Sequence, residues 1–91
     1  MAYAVVIPAG SGDVQVDTGD VNLVGYSARE TAAAVATVVI RDGTTNSDPQ
    51  RVFINLTASA SETRMVPSVG FATGVRVNRT AGSTELVLFL A

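Results

Sequence analysis

The stretch Glu85-Leu86-Val87-Leu88-Phe89-Leu90-Ala91 is apolar at both parities from Leu86 onward. A strand with one wet face alternates apolar and polar residues, because successive side chains point to opposite faces. A run that is apolar on both faces belongs to a strand covered on both sides. In a two-layer sandwich built from 91 residues, no third layer of the same chain remains to cover the second face. A neighbouring subunit or a host surface is therefore the expected cover, with barrel-like closure around a tucked-in C-terminus as the alternative. Tyr3 to Ile7 is also apolar at both parities. It reads as a sheet edge within the subunit or as an arm reaching to another one.

Working inward, the remaining segments alternate. Val52, Ile54 and Leu56 share one face of Arg51–Thr57, Val75 and Val77 oppose Arg76 and Asn78, and Val14-Gln15-Val16-Asp17 repeats the pattern. Turn signals fall at Pro8–Gly12, Thr18–Asp20, Asp42-Gly43, Ser47–Pro49, Pro67–Gly70 and Ala81-Gly82. That spacing is the roughly 8–12 residues of an all-β sandwich or barrel. Strands are predicted near 3–8, 14–17, 21–27, 34–41, 51–57, 62–66, 74–79 and 84–90. The fold class is all-β: a small antiparallel β-sandwich or jelly-roll-like barrel of about eight short strands. It forms a single domain over 1–91, in which 1–12 serves as an N-terminal arm or edge strand. One segment competes. Ser27-Ala28-Arg29-Glu30 has the form of a capping box before alanine-rich residues, which favours a helix. The β-branched cluster Val35, Thr37, Val38, Val39 and Ile40 favours a strand instead. The sequence predicts a strand to about Ser27, an irregular crossing at Arg29–Ala33, and then a second strand.

Composition excludes more than it identifies. There is no Cys, His, Trp or Lys, and all six basic residues are arginine. A serine nucleophile has no imidazole or amine base. No thiol or imidazole metal site is available. Asp42 with Asp48, and Asp13 with Asp17 and Asp20, sit beside Gly, Thr or Asn and read as turn carboxylates. Asn46 would add an oxygen ligand near Asp42 and Asp48, but the spacing of an EF-hand calcium loop is missing. The sequons at Asn55 and Asn78 fall inside predicted strands. No enzyme activity, cofactor or metal is expected.

A net charge of −2 offers no electrostatic footprint for nucleic acid or an anionic membrane. The longest apolar run, 32–40, is too short to span a bilayer as a helix. The first residues lack the basic region of a signal peptide, so the expectation is a cytoplasmically made protein beginning near Met1. A chain this short has a small core. With 47% hydrophobic and only 15% charged residues, oligomerisation is the expected route to stability. Candidate interface residues are Tyr3, Val5 and Ile7 at the start, and Leu86, Leu88, Phe89 and Leu90 at the end. Arg64, Arg76 and Arg79 join them, because arginine suits interfacial ion pairs better than lysine does.

The stretch Val24-Gly25-Tyr26-Ser27-Ala28-Arg29-Glu30-Thr31-Ala32-Ala33 is followed by Val38-Val39-Ile40-Arg41-Asp42-Gly43-Thr44, then Gly70-Phe71 and Gly74-Val75-Arg76-Val77. Together these resemble small virion structural proteins encoded by tailed bacteriophages of actinobacterial type, over roughly residues 23–90. The resemblance implies a compact β-sandwich on the outside of a particle, most plainly a capsid decoration (cement) protein. Its partners would be itself, as a homo-oligomer and commonly a trimer, and the major capsid protein. It carries no catalytic motif and assigns no functional residue. The alternative from another class is a tail- or fibre-associated receptor- or glycan-binding module using the loop around Asp42–Pro49. A bacterial adhesion or encapsulated-compartment domain shares the same fold logic.

Overall fold

The computed structural model describes residues 3–91. Eight strands form: β1 (Tyr3–Gly10), β2 (Val14–Asp17), β3 (Val21–Glu30), β4 (Ala36–Asp42), β5 (Gln50–Leu56), β6 (Ser61–Phe71), β7 (Val75–Ala81) and β8 (Thr84–Leu90). They make two four-stranded antiparallel sheets, ordered β1-β8-β3-β6 and β2-β7-β4-β5. The pairing is nested. β1 lies against β8, β2 against β7, β3 against β6 and β4 against β5, as if one long hairpin were folded with its tip at residues 43–49. That hairpin then wraps so that β8 also pairs with β3, and β7 with β4. This strand order is the jelly roll, one of the two forms predicted from sequence.

The core lies between the sheets. Ile7, Leu23, Leu86, Leu88 and Leu90 come from the first sheet, and Val38, Ile40, Ile54, Val75 and Val77 from the second; all are essentially inaccessible. Their alternation in sequence follows from the pleat, which sends every second side chain inward.

Two segments differ from the sequence reading. The capping-box segment makes no helix, as expected, but β3 runs on to Glu30 instead of ending near Ser27, and the crossing between the sheets falls at residues 31–35 instead of Arg29–Ala33. Glu30 does cap, but it caps loops. Its buried carboxylate accepts from the backbone N–H groups of Ala32 and Ala34, and from that of Ser59 at 2.7 Å. β6 runs on to Phe71, through the turn signal at Pro67–Gly70. Pro67 is tolerated because β6 is an edge strand, where a missing N–H need cost no ladder bond.

Candidate assembly surface

The placement of β8 answers the question posed by its doubly apolar sequence. It lies inside the first sheet between β1 and β3, with Leu86, Leu88 and Leu90 turned into the subunit's own core. Ile7, opposite Leu86, is buried there too. These four candidate contact residues are therefore not available to a partner; the hydrophobic effect has already spent them on the subunit interior. Val5 opposes Leu88 and is half-buried against the same core. Tyr3 lies at the sheet edge, with its hydroxyl 3.4 Å from Asp17 Oδ2.

The other parity forms the outer face. Register places Ala4 beside Phe89, and Val6 beside Val87, on β1 and β8. It continues Phe89 to Gly25 and Val87 to Ser27 on β3, then Gly25 to Met65 and Ser27 to Thr63 on β6. An apolar band thus crosses the sheet from Val6 and Ala4, through Val87 and Phe89, to Met65. Val6 is 65% exposed and Met65 69%, whereas Val87 and Phe89 are half-buried. What shields them is lateral packing on the same face, not a third layer. Gly25 makes room for this: a Cβ there would sit 2.8 Å from Met65 Sδ and 3.0 Å from the Arg64 carbonyl oxygen. Met65 therefore lies across the glycine that separates it from Phe89 in register. Among the described residues, the only charges along this face are Arg29 and Glu85, paired with each other at 3.1 Å. Of the candidate residues, Phe89 belongs to this band. Val6, Val87 and Met65 were missed, and assigning Val5 and Ile7 on β1, and Leu86, Leu88 and Leu90 on β8, to the core face would have pointed to the first two.

The arginines divide. Arg79 is an internal clamp: its Nη1 donates to the carbonyls of Pro8, Gly10 and Thr84 at 3.0, 2.8 and 2.6 Å, and its Nε to that of Gly12 at 2.7 Å. It closes one end of the sandwich over the exit of β1, and the loss of water there lowers its pKa. Arg76 donates to Asn46 Oδ1 and Gln15 Oε1, and lies 3.8 Å from Asp13. Both are occupied within the subunit. Arg64 is exposed, with Nε 3.6 Å from Glu62. Glu62 also accepts from the buried Tyr26 hydroxyl. Burial first, and this carboxylate second, push the Tyr26 phenol up to about 12.

The acidic residues are likewise engaged in turns. Asp42 accepts from the N–H groups of Thr73 and Ala72 and faces Arg51 at 3.5 Å. Asp48 accepts from Thr44 and Thr45, and Asp13 from Asn46 and Asn78. These hydrogen bonds hold the carboxyls of Asp13, Glu30, Asp42 and Asp48 below their ordinary pKa values. No three acidic side chains among the described residues converge in a way that could hold a metal ion. A polar recess at the end of β3, lined by Arg29, Glu30, Thr31, Ala32, Ala33 and Ser59, contains no aromatic platform. Its loop N–H groups are largely taken by Glu30.

Comparison with family models and with curated proteins gives no match for this chain.

Proposed function

We propose that this chain is a capsid decoration protein, a virion structural component that self-associates and binds the assembled shell to reinforce it. The observation that carries this is the apolar band on the outer face of the β1-β8-β3-β6 sheet. The largest contiguous apolar patch on a protein surface is often an interaction site. The occupied arginines and turn carboxylates fit a rigid scaffold whose polar groups hold loops in place. A jelly roll alone does not assign a function, since the architecture serves many; the resemblance to small phage virion proteins supplies the context. Mechanically, each ~100 Å² of apolar surface covered by a neighbour or by the shell contributes about 2.5 kcal/mol before ordering costs. Repetition over a lattice turns many such modest contacts into tight binding.

The test is stoichiometry and rebinding. Gel densitometry of native particles should give many copies, on the scale of the shell lattice, and particles stripped of the protein should take it up again. A Val87→Asp variant should fold and bind stripped particles weakly. A handful of copies per particle would favour the tail- or fibre-associated receptor reading and overturn decoration.

A further inference from the structure

The two sheets have four edges, and three of them carry the devices that keep an edge from pairing with another chain. β6 turns Glu62 and Arg64 toward the inner side and contains Pro67. β5 carries Arg51 and follows Pro49. β2 is only four residues long and ends at Asp17. Short edges, charges and proline all discourage strand addition. β1 is different. No charged residue occurs before Asp13, and the register against β8 is unbroken from Tyr3 to Ile7, with a shift only between Ile7 and Gly10. The five residues Tyr3–Ile7 therefore offer a regular, uncharged row of free backbone groups about 17 Å long at ~3.4 Å per residue.

We infer that this edge pairs antiparallel with β1 of a second copy about a two-fold axis at Val5, joining two sheets into one continuous sheet of eight strands. The inference rests on the self-association proposed above, but not on capsid binding. An identical copy is the occupant this edge fits, because it brings an equally uncharged strand whose exposed Ala4 and Val6 extend the outer apolar band. Pairing about Val5 sets Tyr3 opposite Ile7 and Ala4 opposite Val6. Inward side chains then meet inward ones, and the outer apolar rows meet each other. A charged peptide, an anionic surface or nucleic acid finds no counter-charge here. A two-fold contact of this kind is isologous and closes on itself as a dimer. That distinguishes it from the trimer implied by the resemblance. The seam is short, at the low end of specific interfaces, which suits a contact multiplied on a lattice.

The register makes the test specific, because Ala4 and Val6 are both exposed. Sedimentation equilibrium would compare the native chain with the double variants Ala4→Lys/Val6→Lys and Ala4→Lys/Val6→Glu, folding being checked by circular dichroism. Two lysine–lysine pairs across the seam should weaken dimerisation at least tenfold, since like charges directly opposite are destabilising. The lysine–glutamate arrangement should restore it, because each lysine then faces a glutamate of the other copy. Met65→Lys, on the same face but at the far edge, should leave it unchanged. A monomeric native chain, a trimeric mass, equal weakening by both double variants, or an equal effect of Met65→Lys would each overturn the pairing. A monomer that still coats stripped particles would do so while leaving the decoration proposal standing.

Discussion

Replacing Arg79 with methionine tests whether this residue serves the subunit or a partner. Methionine keeps much of the aliphatic stem and removes all the donors. Four hydrogen bonds to the carbonyls of Pro8, Gly10, Gly12 and Thr84 are lost. Hydrogen bonds involving a charged group contribute ~1.5–3 kcal/mol each when shielded and less where water can substitute. The bonds to Gly10 and Thr84 are partly buried and those to Pro8 and Gly12 are exposed. Taking the low end for the shielded bonds and ~0.5 kcal/mol for the wet ones gives a loss of about 4 kcal/mol. For a domain of this size that corresponds to a fall in Tm of roughly 15–30 °C. Thermal unfolding followed by circular dichroism, at a concentration where the chain is monomeric, reads this directly. Arg64→Met is the comparison: that side chain is 63% exposed, and its loss should stay within about 0.5 kcal/mol. A Tm change below about 5 °C for Arg79→Met would mean less than ~1 kcal/mol and refute the clamp. Normal stability with lost self-association would return Arg79 to an interface role.

Four further outcomes follow from the same geometry. Leu88→Ala should cost ~2–5 kcal/mol in denaturant unfolding and Val87→Ala under about 1 kcal/mol, because only the first opens a core cavity; equal costs would contradict the assigned faces. Thr84 Oγ1 is buried without a hydrogen-bond partner, so Thr84→Val should be neutral or stabilising by up to ~1 kcal/mol in urea melts, and a clear loss would reveal a missing partner. Ala33 has a φ of 54°, so Ala33→Gly should raise stability by up to ~1 kcal/mol, relief of the left-handed conformation outweighing the entropy glycine gains on unfolding. Acid should destabilise the fold: Glu30, Asp42, Asp48 and Asp13 have lowered pKa values when folded, so their contribution is complete above the unfolded values of about 3.9–4.3. It is lost as pH falls through the folded values, since the unfolded chain takes up protons first. Urea midpoints measured from pH 6 down to 2 should fall on that limb, and Glu30→Gln should make the fall shallower; a flat profile would show that the carboxylates contribute little.

Much of the fold was legible because glycine, proline and β-branched residues punctuate the chain locally. The eight predicted strands correspond to the eight observed, with ends displaced by a few residues where tertiary pairing extends β3 and β6. The orientation of β8 was not legible. Leu86-Val87-Leu88-Phe89-Leu90 offers no polar residue to mark the wet side, and only pairing with Ile7, Ala28 and Tyr26 shows which parity faces the core. Nor was the role of Arg79 visible, since its acceptors lie 5 to 71 residues away in the chain. The outer band escaped notice for a related reason: Met65 and Val6 stand far apart in sequence, and four strands must assemble before they share a surface.

Nested pairing also decides when the subunit can exist at all. β8 is the bridge between β1 and β3, so until residue 90 has left the ribosome the first sheet has no middle. Tyr3 waits for Leu90, its partner at the other end of the domain. Closure of so long a loop is slow, and a growing chain meanwhile carries a bare, uncharged β1. Folding of this sheet waits for its last strand, and its safety depends on how little time the unfinished chain spends beside others like it.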